Sequence, residues 1–167
     1  TYLRDHPVLQ IEHPDVVGLA AKLASDAGEN ASLPDKFYDE VRMLRERKDE
    51  GLLDVPEILS GKRANARERA YTMVALCRAA RIPARLVKGL VLRESAAASL
   101  HFWVEVYQSD RWKPFDPAFG YREVLPPNYL PFVKGVRDVV GFSATSDYGV
   151  EYSIANADPL LDLAEST

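Results

Sequence analysis

The sequence predicts an α+β domain, with helices first and antiparallel strands after them. Two observations carry this. Up to Ala80 the apolar residues recur at the three- and four-residue intervals of a helix face, while from Ala84 onward they alternate or run in β-branched and aromatic residues. A third bounds it: 167 residues form one domain with a real core and fall short of two ordinary ones.

The opening "TYLRDHPVLQIEHPDV" holds two His-Pro pairs, which favour extended or turn backbone before each proline. His6 and His13 have no carboxylate or histidine at helical ligand spacing, so they are expected to be exposed turn residues and not metal ligands. "PDVVGLAAKLASDAG" reads as an amphipathic helix, capped at Asp15 or a neighbour and ended near Gly28. "LPDKFYDEVRMLRERKDE" reads as a second, with Phe37, Val41 and Leu44 on one stripe. "DVPEILSGKR" gives a shorter helical turn and a loop.

The strongest helix signal runs from Ala64 to Ala80. Ala66, Ala70, Met73, Val74 and Cys77 share one face of it, which is expected to be buried. "RIPAR" ends that helix, and "ARLVKGLVLR", "LHFWVEVYQ" and "RWKPFDP" read as strands, with "QSDR" turning between the last two. "YREVLPPNYLPFVKG" is rich in proline and is expected to be a structured loop. Two more short strands are expected in "VVGFSATSDYGVEYSIA", joined at "TSDYG", before a tail "DPLLDLAEST". The organisation is one domain over 1–167: a helical part at 14–60, a core at 60–121 and a loop with strands at 122–156.

Composition removes several function classes. A net charge of -4 argues against nucleic-acid binding, because the basic residues of "VRMLRERK" and "GKRANARER" are interleaved with acidic ones. No apolar run approaches the roughly 20 residues needed to span a bilayer. A lone cysteine, Cys77, excludes an internal disulfide framework and a cysteine-based zinc site. No metal or cofactor is expected. The chain begins at Thr1, which suggests a processed form or a domain of something longer.

Three features align for chemistry. A long helix begins near Ala66, a strand carries "HFWVEVY" with His101 near its start, and the next carries "WKPFDPAFGY" with Asp116 before Pro117. Helix start, His, Asp is the chain order of a papain-like triad, in which a nucleophile sits at a helix N-terminus and an acid orients the base. The helix end matters because its unpaired N–H groups and dipole lower a thiol's pKa and bind an oxyanion. The bland readings are that His101 is a satisfied strand residue and that Asp116 caps a turn. Their spacing fits adjacent antiparallel strands, and a His101–Asp116 pair is expected.

Through "VALCRAARIPAR", "HFWVEVY" and "WKPFDP", over about residues 60–121, the chain resembles the transglutaminase-like superfamily, with its papain-like fold. The resemblance implies a central helix packed on an antiparallel sheet, and a catalytic cysteine eleven residues before Cys77. That position is Ala66, and the expected Gly-x-Cys is replaced by "ANA". Neither Ser nor Thr stands in "RANARER" to take over. Cys77 lies roughly 16 Å along the helix, where a buried packing role is expected. Trp103 and Trp112 resemble the family's aromatic positions. With Asn65 they are candidate cleft residues.

The second half is similar to the inactive transglutaminase-like domains that bacteria carry on the periplasmic side of the inner membrane, fused to seven transmembrane helices outside this sequence. That resemblance implies a pseudoenzyme binding a peptide, a peptide-like ligand or a protein, with ATP-grasp-like and retropepsin-like proteins as partners. The rivals are an active cysteine protease or amidase whose nucleophile has been replaced at residue 66, and a structural interaction module with a filled cleft.

Overall fold

The structure, a computed structural model, describes residues 2–28, 32–48, 51–93 and 96–135. Its elements are α1 (Pro14–Ser25), α2 (Leu33–Arg42), β1 (Arg45–Glu46), α3 (Val55–Gly61), β2 (Arg63–Ala64), α4 (Ala66–Ala79), β3 (Ala84–Arg93), β4 (Ala96–Gln108), β5 (Arg111–Asp116), β6 (Tyr121–Arg122) and β7 (Tyr129–Lys134). The mixed α+β class follows as expected. Five strands form one antiparallel sheet in the order β6-β5-β4-β3-β7, and β1 and β2 make a short parallel pair.

The helices start where local chemistry supplies caps. His13 caps α1 by accepting from the Asp15 N–H, and Asp54 and Glu57 form a reciprocal capping box on α3. Asn65 and Glu68 do the same for α4. α2 stops at Arg42, earlier than the long charged stretch suggests, because the chain turns into β1 to pair with β2.

α4 is the central element. Glu68 and every residue from Ala70 to Arg78 are buried, so this helix is covered on nearly all sides. The other three helices pack against it, and so do β3 and β4. Side chains alternate across a strand, and Leu86, Val104, Val106 and Phe115 join Ala70, Met73, Val74 and Cys77 in one core. Arg78, only 4% exposed, donates to the carbonyls of Ala84 and Arg4 and so ties the N-terminal arm to the helix end.

Two expectations change. The proline-rich 121–135 segment is not only loop, since it supplies β6 and β7. Proline lacks the N–H of a central strand, but β7 is an edge strand, where Pro131 is tolerated. β4 begins at Ala96, earlier than the aromatic run suggested. The strand pair expected within 139–155 and the tail after it lie outside the described residues. Among the described residues no helix is long and apolar enough to cross a membrane.

Candidate functional site

The start of α4 is held by a buried carboxylate. Glu68 is 0% exposed. It accepts from the Asn65 N–H (2.9 Å), the Leu53 N–H (2.9 Å) and the Arg47 guanidinium. Burial pushes its carboxyl up, but the Arg47 hydrogen bond, the two backbone donors and the Arg47 charge outweigh this and hold it below the usual range. Asn65 Oδ1 is committed to the Glu68 N–H at 2.9 Å, so Asn65 acts as the helix cap. Ala66, the first helical residue, is exposed and not buried with Ala70, Met73, Val74 and Cys77 as the helix face predicts, because the part of α4 packed in the core starts beyond its first turn, and it carries no reactive group.

β4 and β5 bring the predicted pair together. His101 Nε2 lies 2.7 Å from Asp116 Oδ2, with both residues buried. Asp116 ends β5 and opens a turn in which its Oδ1 accepts from the Ala118 (2.9 Å) and Phe119 (3.0 Å) N–H groups. A further donor was not foreseen: Tyr129, on the edge strand β7, donates to Asp116 Oδ2 at 2.6 Å. Burial raises the Asp116 carboxyl, but the His101 hydrogen bond and charge, then the Tyr129 and Phe119 donors, bring it below its ordinary value. With Nε2 committed to Asp116, Nδ1 is the imidazole nitrogen left for a nucleophile or ligand. Tyr129 lies in the proline-rich segment for which the sequence predicts a loop, and the structure makes it strand β7. The signal available was an aromatic followed by alternating apolar residues after the Pro-Pro pair.

Phe119 lies flat on the His101 ring, with centroids 4.2 Å apart and planes 3° apart. The same residue lines a space of about 270 Å³ beside Ala66, walled also by Arg42, Glu46 and Arg69. Ala66 and Phe119 therefore border one space, and Phe119 in turn covers His101.

The remaining candidates are placed differently. Trp103 is 2% exposed and packs edge-on against Tyr129 at 5.3 Å, which leaves it almost no surface for a ligand. Trp112 pairs with Tyr107, six positions along β4 from His101 and so about 20 Å away. There it stacks with Arg85, whose guanidinium carbon is 3.9 Å from the ring centre. Cys77 is fully buried, and burial pushes its thiol far above the ordinary range. As expected, it packs in the core. His6 and His13 are half-buried and not exposed as expected, because each folds back so that its Nδ1 accepts from a nearby backbone N–H.

A family model described as the transglutaminase-like superfamily matches residues 17–117. Among solved structures, the chain is similar to a candidate cysteine protease of Cytophaga hutchinsonii, with a TM-score of 0.67 and 20% identity over 80% of this chain and 45% of that one. It is also similar to the periplasmic domain of TgpA from Pseudomonas aeruginosa, with a TM-score of 0.53 and 23% identity over 71% of this chain and 46% of that one. The chain thus spans less than half the length of either neighbour. No curated protein matches it.

Proposed function

The chain belongs to the transglutaminase-like superfamily, and we propose that within it the chain is a catalytically inactive domain that binds a peptide or peptide-like ligand. The observation that carries this reading is the buried His101–Asp116 pair, 2.7 Å apart, beside a helix that begins with Ala66 in place of a nucleophile. Acyl transfer through a covalent intermediate needs a thiol or hydroxyl at that helix start. Cys77 cannot serve, because it is buried deep in the core.

What remains suits binding. Helix-end N–H groups and the free imidazole nitrogen offer donors and acceptors to an amide or carboxylate. The space of about 270 Å³ beside Ala66 supports a binding role over a module whose cleft is filled by its own side chains. We further propose that the domain works on the periplasmic side of a bacterial inner membrane, held there by segments outside this sequence. The resemblance to a periplasmic domain supports that placement.

The test is native mass spectrometry of the purified chain, together with an assay on chromogenic peptide amides. Wild type should carry a peptide-sized adduct that Ala66→Trp expels, and it should show no turnover. Turnover by wild type that disappears in His101→Ala would overturn the reading. Robust hydrolysis by Ala66→Cys would instead show a cleft still built for catalysis.

A further inference from the structure

We propose that Phe119 is a displaceable lid on His101, whose ring divides a single groove into two chambers. The ring lies parallel to the imidazole at 4.2 Å and 3°, and beneath it His101 is only 3% exposed. Phe119 itself is 43% exposed, so much of the cover faces outward.

Two open spaces meet at this residue. One, of about 270 Å³, lies on the Ala66 side. The other, of about 500 Å³, lies on the side of Tyr121, Asn128 and Tyr129. Their linings share Ala118 and Phe119. The backbone at this point is pinned. Asp116 accepts from the Ala118, Phe119 and Gly120 N–H groups. Gly120 sits at φ +85°, where a side chain would also collide with the Arg42 guanidinium. A fixed turn leaves side-chain rotation as the way to move the ring, and such rotation is fast.

With the ring turned away, the chambers join past the exposed face of the imidazole. A planar group on an extended ligand, such as a peptide bond, would then occupy the ring's place over His101. This ligand class rests on the binding reading above, whereas the lid itself does not.

The experiment is modification of the full chain with diethyl pyrocarbonate, read at each histidine by peptide mass spectrometry. A lid whose open form is a minor state, at most about 10% populated, predicts that Phe119→Ala raises the His101 rate about tenfold or more. His6 and His13 serve as internal controls and should not change. An unchanged His101 rate in folded Phe119→Ala overturns the lid. Should that variant fail to fold, Phe119→Leu keeps the apolar bulk and carries the same two outcomes: a raised rate supports the lid and an unchanged one overturns it. Adding N-acetyl-trialanine amide to the opened variant separates the two proposals. Protection of His101 supports both, and a raised rate without protection keeps the lid and counts against peptide binding.

Discussion

The indole of Trp103 occupies the space that a side chain on Gly89 would need. A Cβ at Gly89 would come within 2.6 Å of Trp103 Cη2 and would collide with the Leu130 carbonyl on β7. Trp103 in turn meets Tyr129, and Tyr129 holds Asp116, so the close approach of β3 and β7 at this glycine fixes one wall of the site.

Gly89→Ala is therefore expected to destabilise the domain by about 1–3 kcal/mol, the range for overpacking a well-filled interior. One obstacle is backbone and cannot rotate away. Urea unfolding monitored by tryptophan fluorescence checks this. A change within about 0.5 kcal/mol, typical of a neutral surface substitution, would show that β7 yields freely.

Glu68 supports the other wall. Glu68→Gln removes the charge facing Arg47 while keeping the shape, and takes the Glu68 carboxylate away from a guanidinium only 10% exposed. Breaking one side of a buried pair costs about 3–5 kcal/mol, and the amide's remaining hydrogen bonds should reduce that to about 2–3. The loss should be accompanied by fraying at Ala66, seen as faster hydrogen exchange in the first turn of α4 than in its middle. Uniform exchange along the helix would contradict the capping role.

The parts of this architecture legible in the sequence are those written in local periodicity. The 3.6-residue pattern around Ala70, Met73 and Cys77 marks the central helix, and the aromatic alternation of "HFWVEVY" marks β4. The His101–Asp116 pairing was also legible, since antiparallel neighbours fifteen residues apart can share a face. Tyr129 and Phe119 were not. Tyr129 reaches the site only through a proline-bearing edge strand whose pairing is non-local, and Phe119 only through a turn set by Asp116 and Gly120. Trp112 misled because an aromatic in a family-like position says nothing of which end of the sheet it occupies.

Cys77 gives a test of the core. Because its thiol is buried and far from ionising at neutral pH, iodoacetamide should label the native chain negligibly and the urea-unfolded chain completely. Cys77→Ser buries a hydroxyl in the same place and should cost about 1–3 kcal/mol. Fast native labelling at pH 7.5 would place this part of α4 near the surface and contradict the packing.

The pH dependence of stability follows from Asp116. Its carboxyl sits below the ordinary value of 3.8 in the folded state, so near that pH the unfolded chain binds the proton more readily. The carboxylate's stabilisation is accordingly complete above about 3.8, and falls away as pH drops through the lower folded-state value. Asp116→Asn should weaken the fold at pH 6 and flatten the acid limb, so wild type and variant converge as pH falls toward 3. Tyr129→Phe removes one donor from a buried carboxylate and should cost about 1.5–3 kcal/mol at pH 6, the range for a bond to a charged group. In the Asp116→Asn background the same change should cost markedly less, because the two substitutions remove one shared interaction. Additive losses would show that Tyr129 acts on the fold elsewhere, and parallel acid limbs for wild type and Asp116→Asn would show that this carboxylate does not set the pH dependence.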